Sequence, residues 1–554
     1  MRRFVTLLLA IALAFVAVSC TDGGSQRPDP DDGRPSPPPR AGGTLRMLLA
    51  EDVDALDPHR ATQPPAWGLL RTMHRGLMAF PAQPGPEGSR PVPDLAEAEP
   101  SVTPDGLRYT FRLREGIAFA APAARPVTAS DVKAGLERAI SAASPIAGYL
   151  RVIAGADVFA ARGVTGIAGI AAPDERTVVI TLVQPVNDLL WLLALPAASA
   201  VPPGLPPVTS PDKISASGPY RLDEGGYAAE RSIRLVRNLS WNRDSDPVRA
   251  AWVDRIEVEI GVDTKEIQRR LVAGEADLSG DVPPAGLAPG AVPAERLVRA
   301  PNGCLRYLFM NPAVAPFSSG RVRSAVAAAI DRSAIAAPYA GAAVATGGII
   351  PQTVDGYDPA RIGPTPAPSA ARTALAAAGL PGGFATQLIV GNQSIDRAQA
   401  AAVGRSLAAA GVRVDVGTVP IASLYEDRYE VPAARVPMGI ATWCADWPGR
   451  GGRGALAPLV DGRTLAARGN TNYSGLNERR LHAMLDAAAI ERNPAAIADR
   501  WRAAAAEAIR LATLVPLAFL SETSLLGRDV RGFVAHPYFI RGDPTAVWLD
   551  RPGS

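Results

Sequence analysis

The stretch LRYTFRLR at residues 107–114 decides the fold class, together with TASDVKAGLERAISA at residues 128–142. In the first stretch, every second side chain is apolar and those between are polar or charged, which predicts a strand with one buried face. In the second, Thr128 stands three residues before Asp131, and this capping-box pattern predicts a helix over residues 129–142. Strands interleaved with helices in this way indicate a mixed α/β architecture.

Both kinds of signal recur along the rest of the chain, and no internal repeat accompanies them. Strands are predicted at 177–182, 256–260 and 306–310, and helices at 478–490 and 493–511. The predicted fold class is therefore α/β.

The composition is that of a globular protein with room for two or three domains. The 554 residues are 47% hydrophobic and 20% charged, with 57 Lys+Arg against 54 Asp+Glu. Binding of nucleic acid needs a clustered basic surface, and a net charge of +3 gives no sign of one. No nucleic acid is therefore expected as a partner.

The N-terminus has the pattern of an export signal. Met1-Arg2-Arg3 precedes the apolar run 4–18, and Cys20 follows Ser19, as in a bacterial lipoprotein box. We expect residues 1–19 to be a signal peptide and Cys20 to carry a lipid, followed by a disordered tether to residue 42 that is rich in Pro, Gly and Asp. An ordinary signal with an incidental cysteine is the alternative. The prediction is an extracytoplasmic, periplasmic-type body, anchored by the lipid to the outer face of the cytoplasmic membrane.

The remaining cysteines, Cys304 and Cys444, form an even pair in an oxidising compartment. A disulfide is the usual fate of such a pair. Two separate buried thiols remain the alternative at this point.

Motifs of enzyme chemistry are missing from the sequence. The four histidines, which are His59, His74, His482 and His536, have no metal-ligand spacing, and neither a GxSxG nor a Walker A motif occurs. Gly449, Gly451 and Gly454 fit GxGxxG, but we expect them to lie in a loop without the flanking strand and helix of a dinucleotide site. The sequence therefore predicts a binding protein rather than an enzyme, with no metal and no cofactor.

Several segments together resemble the family 5 extracellular solute-binding proteins of ABC transporters, the oligopeptide/dipeptide-binding lipoproteins, in an actinobacterial-like composition poor in lysine. They occur in the family's order from residue 43 to the C-terminus. The segments are GTL at 43–45 with LDPH at 56–59, PVPDLAE at 91–97, YTFRLREG at 109–116, PVTASDV at 126–132, SGPY at 217–220, RVR at 321–323 with AIDR at 329–332, and WCADW at 443–447.

This resemblance implies a two-lobed periplasmic-binding-protein-like fold (type II, cluster C) with an extra inserted domain. Lobe I would comprise 43–76, 209–300 and 521–554, the inserted domain 77–208, and lobe II 301–520. Chain crossings near Gly218 and near residues 300 and 520 would act as hinges for closure around a ligand.

The resemblance also implies the binding site. In oligopeptide-binding members, the aspartate at the position of Asp446 pairs with the ligand's α-amino group, and the cysteine at Cys444 is bridged to one at the position of Cys304. A carboxylate that faces an ammonium is a strong contact that ignores side-chain identity. An acid that only caps the following turn is the alternative role for Asp446.

Backbone hydrogen bonds to a peptide would come from two strand-like segments. The candidates are Thr62 and Gln63 in one lobe, and Thr442, Trp443 and Cys444 in the other. Trp443 and Trp447 would be pocket walls or, alternatively, core. Pro64 and Pro65 depart from the pattern because proline has no N–H to donate. A ligand carboxylate has no obvious lysine partner, and Arg450 and Arg453 are the candidates left.

The predicted function is capture of di- or oligopeptides outside the cell and their delivery to an ABC permease with its ATPase subunits, by a monomeric protein. One alternative keeps the fold and changes the solute to a nickel chelate, haem or a glycoside. Another is a cell-envelope scaffold or regulatory lipoprotein.

Overall fold

The computed structural model describes residues 38–163, 165–284, 287 and 290–551. The predicted signal peptide, the lipidation at Cys20 and most of the predicted tether lie outside the described residues. Among the residues that are described, no helix is long and apolar enough to cross a membrane.

The strands of the described residues form three larger sheets and two small ones. They are β1 Thr44–Leu48, β2 Met78–Ala79, β3 Val92–Pro93, β4 Ser101–Val102, β5 Arg108–Arg112, β6 Ile170–Ala171, β7 Thr177–Thr181, β8 Tyr220–Ala228, β9 Ser232–Arg237, β10 Arg255–Glu259, β11 Leu278–Ser279, β12 Leu297–Met310, β13 Ala343–Ala345, β14 Phe384–Gly391, β15 Val412–Val419, β16 Met438–Cys444, β17 Leu514–Leu525, β18 Val530–Arg531 and β19 Trp548–Leu549.

The α-helices of the same residues cover the faces of these sheets or join them. They are α1 Pro64–Met73, α2 Gly85–Gly88, α3 Ala129–Ser141, α4 Ala156–Arg162, α5 Leu189–Leu192, α6 Thr264–Ala273, α7 Gly320–Ala329, α8 Arg332–Ala336, α9 Pro368–Ala377, α10 Ser394–Ala409, α11 Ile421–Leu424, α12 Gly452–Val460, α13 Arg479–Ala489 and α14 Pro494–Leu511.

The first sheet has the strand order β11-β1-β10-β9-β8. Strand β10 shows why the alternation predicted it: Ile256 and Val258 are buried, while the glutamates between and after them are exposed. Strand β1 pairs parallel with β10 and β11, whereas β9 pairs antiparallel with β8 and β10. The predicted strand at 256–260 is thereby confirmed.

The second sheet, β4-β5-β7-β6, is antiparallel. In β5, Tyr109 and Phe111 point into the core and the arginines of the stretch point outward. Helix α3 begins with the predicted capping box, because Thr128 and Asp131 satisfy each other's backbone N–H groups. Both elements that decided the fold class are therefore confirmed.

The third sheet has the order β13-β17-β12-β16-β14-β15. Its two long central strands, β12 and β17, pair antiparallel from Leu297↔Leu525 to Phe309↔Leu514, with an irregularity between Pro301 and Leu305. The two crossings predicted near residues 300 and 520 thus lie within one pair of continuous strands. The division into lobes at these positions stays a prediction.

The SGPY segment at 217–220 is held against the end of α1 by backbone contacts. Ser217 and Gly218 both donate their N–H groups to the carbonyl of Met73, at 2.9 and 2.8 Å. A Cβ on Gly218 would lie 2.6 Å from the carbonyl oxygen of Thr72, so only glycine fits there. The approach fixes the chain where it returns from the second sheet to the first.

A buried ion cluster lies at the same junction. Asp94 accepts hydrogen bonds from Arg75 Nε at 2.7 Å and from Arg249 at 2.8 Å, and Asp246 accepts from Arg249 at 3.2 Å. All four side chains are almost completely buried. Burial raises the pKa of Asp246, but the charges of the two arginines outweigh burial, and the net pKa is well below its ordinary value.

Candidate functional site

The WCADW segment begins at the end of strand β16, where the chain is covalently held. Cys304 of β12 lies directly opposite Cys444 of β16, and the two form a disulfide that closes a separation of 140 positions. The N–H of Ala445 donates to the carbonyl of Gly303 at 3.0 Å. The predicted disulfide is confirmed, and it fixes the backbone two residues before Asp446.

Asp446 is a half-buried carboxylate with one hydrogen bond, which Tyr149 donates from its hydroxyl at 2.5 Å. Within the described residues, no arginine or lysine forms a salt bridge with it. Burial raises the pKa of Asp446 to about 7, and the hydrogen bond from Tyr149 only partly opposes this shift. Among the described residues, the carboxyl group therefore has no cation that would stabilise its ionised form.

Gly454 of helix α12 lets that helix approach Asp446 closely. A Cβ at Gly454 would lie 3.0 Å from Cβ of Asp446 and 3.1 Å from the ring of Trp447. The GxGxxG match therefore has a packing role. Our expectation that this match lacks a flanking strand and helix is wrong, because β16 precedes it and α12 contains its last glycine.

Arg453 is already committed to another carboxylate. Its guanidinium makes two hydrogen bonds to the buried Asp188, at 2.9 and 2.8 Å, and lies 5.1 Å from the ring centre of Tyr149. Arg450 lies 4.9 Å over the ring of Trp191 and forms no salt bridge in the part of the chain that is described. Of the two candidates for a ligand carboxylate, Arg450 is therefore the less committed one.

The two tryptophans of the segment differ in exposure. Trp447 has no exposed surface and packs edge-on against Tyr149, with ring centres 4.8 Å apart. Trp443 is half-buried and donates its Nε1–H to the carbonyl of Gly454 at 2.9 Å. Trp447 thus supports Tyr149 from the core, while Trp443 keeps an accessible face. Thr442 accepts a hydrogen bond from Arg306 at 3.1 Å.

Aromatic side chains connect this site to helix α1. Tyr538 belongs to the same hydrophobic cluster as Trp447, and it stacks on Trp67 of α1 with 5.0 Å between ring centres. Burial raises the pKa of Tyr538, and the nearby charge of Asp446 raises it further. Asp446 therefore lies where three parts of the molecule meet: the elements around the second sheet, the C-terminal segment and the elements around the third sheet.

Thr62 and Gln63 make no hydrogen bond or ring contact with the 442–447 segment among the described residues. The N–H and hydroxyl of Thr62 both donate to Asp54, at 2.5 and 2.7 Å. Gln63 is exposed and precedes helix α1, whose first two residues are Pro64 and Pro65. The proline pair therefore starts a helix, a position where proline's missing N–H costs nothing.

The sequence analysis did not predict three residues of the site, which are Tyr149, Asp188 and Tyr538. Tyr149 lies 297 positions from Asp446 in sequence and carries no motif of its own. Asp188 precedes the short helix α5 and has the pattern of an ordinary helix start. Nothing in the local sequence connects these residues to Asp446, because their contact depends on how distant units pack.

Comparison with known proteins defines the class. The family described as bacterial extracellular solute-binding proteins, family 5 Middle, matches residues 90–451, a range that includes Tyr149, Asp188 and Asp446. The chain is an extracellular solute-binding protein of an ABC transporter, and it belongs to family 5.

Relatives of known structure share the fold over nearly the whole chain. The clavulanic acid biosynthesis oligopeptide binding protein 2 superposes with a TM-score of 0.83 at 30% identity, over 92% of this chain and 96% of that one. The periplasmic binding protein DppA from Helicobacter pylori, in complex with the peptide STSA, gives 0.70 at 20% identity, over 92% and 99%. The predicted periplasmic-binding-protein fold is confirmed, and the several sheets are consistent with an extra domain.

Similarity to curated proteins is more distant. The glutathione-binding protein GsiB of Escherichia coli O6:K15:H31 (strain 536 / UPEC) is 27% identical over 358 residues, which is 62% of this chain and 62% of the relative. GsiB of Salmonella typhi is 26% identical over 374 residues, with the same coverage of both chains. The match thus spans less than two thirds of these relatives.

Proposed function

We propose that the protein captures peptides with a free amino terminus outside the cell and delivers them to an ABC permease. The observation that carries this proposal is the half-buried carboxylate of Asp446, which within the described residues has Tyr149 as its one hydrogen-bond donor and forms no salt bridge. A ligand ammonium would supply the missing charge and bring Asp446 back to its ionised form.

The charge of Asp446 makes an amine the preferred ligand group. A buried charge without a partner is costly, so a ligand that brings the opposite charge gains much of that energy on binding. An α-ammonium is present on every unmodified peptide whatever its side chains. Recognition through this group would therefore accept many sequences, as import of peptides requires.

The backbone segments that flank the site fit the same role. Thr442, Trp443 and Cys444 close strand β16, and Trp443 keeps an accessible face beside Asp446. Peptide backbone would add to this end by hydrogen bonds. Thr62 and Gln63 are proposed to contact the ligand from the first lobe, with Gln63 the freer side chain because Thr62 is engaged by Asp54.

A second candidate is an amine-bearing solute that is not a peptide. It is favoured by the start of α1 at Pro64, which leaves the first lobe few backbone donors near Gln63. A solute with one ammonium and one carboxylate would still match Asp446 and the less committed Arg450. Known relatives bind varied solutes, and the structure of AgaA with agropinic acid is one example, at 24% identity and a TM-score of 0.69.

Closure is proposed to bring the lobes together over the ligand, with bending at the β12 and β17 pair near Pro301.

We also propose that Cys20 carries the lipid anchor. Fractionation of cells that express wild type and Cys20→Ala tests the anchor: wild type should sediment with membranes and the variant should not. Equal sedimentation of both would contradict it.

The test of the main proposal compares two aspartate variants of residues 21–554. Asp446→Asn should weaken binding of a free-amine tripeptide pool by about 100-fold or more, since it removes the charge that pairs with the ammonium. Asp427→Asn, an exposed aspartate in the same predicted lobe, is the matched control and should bind like wild type. Titration calorimetry gives both affinities.

A chemically matched ligand completes this test. N-acetylated versions of the same peptides should bind wild type as weakly as free peptides bind Asp446→Asn. Native mass spectrometry of the gently purified protein, followed by denaturing release, identifies the natural cargo. Peptides of mixed sequence support the proposal, and a single non-peptide amine supports the second candidate. Unchanged peptide affinity in Asp446→Asn would contradict the role of the carboxylate.

A further inference from the structure

A cavity of about 350 Å³ lies beside the SGPY segment and is lined by none of the residues of the Asp446 site. Its floor is mainly apolar and its rim is charged. Its lining includes Met73, His74, Asp212, Ile214, Asp223 and Glu224. The volume is in the range of sites for small organic ligands.

His74 is the polar group in the floor of this cavity. Its side chain is almost completely buried, at 4% exposure, and its Nδ1 has no hydrogen-bond partner in the described part of the chain. Burial lowers the pKa of His74 to about 3, so the imidazole is neutral at physiological pH and has one donor and one acceptor nitrogen. His74 is therefore an uncharged part of the cavity wall.

The rim is formed by an irregular part of strand β8. The pairing of β8 with β9 shifts register between Leu222 and Tyr227, and this irregularity presents Asp223 and Glu224 at the cavity mouth. Such irregularities are common next to binding sites. Neither carboxylate forms a salt bridge or a side-chain hydrogen bond within the described residues.

The remaining charges at the rim do not cancel the negative charges of Asp223 and Glu224. Asp212 adds a third carboxylate, which Lys213 approaches at 3.3 Å. Arg221 is the one lining cation, and its guanidinium donates to the carbonyl of Leu222 at 3.1 Å. The cavity mouth is therefore negative, above a floor that consists of Leu56, Met73 and other apolar side chains.

We propose that this cavity is a second ligand site, which takes a small primary amine carried on an apolar body. The ammonium would pair with Asp223 and Glu224, and the apolar body would contact Met73 and Ile214 beside His74. This site is independent of the solute that binds at Asp446.

The experiment follows the NMR signals of the histidine side chains, because the chain has four histidines in all. The protein is labelled with [15N]histidine and carries Asp446→Asn, so that amine binding at the first site does not interfere. Phenethylammonium is the probe, and phenylacetate, of similar shape and opposite charge, is the matched control. The signal that disappears in His74→Gln assigns His74.

Phenethylammonium should shift the His74 signal in a saturable way and leave His482 unmoved, while phenylacetate should shift neither. The double variant Asp223→Asn and Glu224→Gln should weaken the probe's affinity about tenfold, because it removes two charges at the mouth. Ala121→Trp, at an exposed lining position, should block binding without a change in the buried floor.

Equal shifts with the cation and the anion would overturn the proposal, as would an unaltered affinity in the double variant. If His74→Gln fails to fold, Ala121→Trp still tests the site, and saturable amine binding that survives this block would also overturn it. These outcomes leave the function proposed for Asp446 untouched.

Discussion

Two carboxylates, the buried Asp94 and the half-buried Asp446, show how the same residue type serves structure in one region and, as we propose, binding in another. Asp94 receives hydrogen bonds from two buried arginines, Arg75 and Arg249. Asp446 receives one hydrogen bond from the neutral hydroxyl of Tyr149. The charge of Asp94 is thus compensated by Arg75 and Arg249, whereas Asp446 has no cationic partner among the described residues.

The difference has an energetic meaning. A compensated buried charge holds its neighbours in place, and its loss leaves those neighbours uncompensated. A buried charge without a partner destabilises the empty protein and becomes useful when a ligand neutralises it. Stability should therefore depend on Asp94, and ligand affinity should depend on Asp446.

Asp94→Asn should produce the largest change in stability, because it leaves Arg75 and Arg249 short of negative charge in a buried environment. We expect the free energy of unfolding to fall by about 3–5 kcal/mol. Urea unfolding at pH 8, followed by circular dichroism and fluorescence, measures it. Asp446→Asn is the matched comparison and should unfold at the same or a higher urea concentration. Similar losses in both variants would show that the two carboxylates do not differ as proposed.

Peptide affinity should fall as the pH decreases below about 7, the pKa to which burial raises Asp446. The protonated acid has no charge to pair with an ammonium, so affinity should drop by up to tenfold per pH unit, or about 50-fold between pH 7 and pH 5. Calorimetry at a series of pH values measures the slope. Asp446→Asn should show a flat profile, and a flat profile in wild type would exclude a titrating carboxylate.

The same shift has the opposite effect on the empty protein. The folded-state pKa of Asp446 is higher than the ordinary value of 3.8. Its contribution to stability is therefore complete below pH 4 and is lost as the pH rises through about 7. Under the proposed role of Asp446, ligand affinity increases over the same pH range in which the empty protein loses stability.

The sequence predicted those features that depend on local pattern or on compartment. Apolar alternation located β5 and β10, the capping box located α3, and the even pair of Cys304 and Cys444 led to the disulfide that the structure confirms. These features were accessible because each depends on a short spacing or on redox conditions.

The surroundings of Asp446 could not be predicted in the same way. Tyr149 belongs to the predicted inserted domain and lies far from Asp446 in the sequence. Arg453, which the sequence offered as a partner for a ligand carboxylate, already pairs with Asp188. Both facts depend on packing between segments that are far apart in the chain. A local pattern identifies which residue types are available but not which of them are already paired.

Tyr149→Phe should give the smallest of the three effects and is the most direct probe of the Asp446 surroundings. The hydrogen bond from Tyr149 lowers the pKa of Asp446, so its loss should raise that pKa further and leave less carboxylate ionised at pH 7. We expect peptide affinity to fall about threefold to tenfold at pH 7, with the midpoint of the pH profile moved upward. At pH 9 the carboxyl group is ionised in both proteins, so the affinity gap should narrow.

Tyr109→Phe, in the second sheet and without a hydrogen bond to Asp446, is the matched control and should keep the wild-type profile. A gap that stays constant from pH 6 to pH 9 would mean that Tyr149 contributes to packing alone and does not tune the carboxylate.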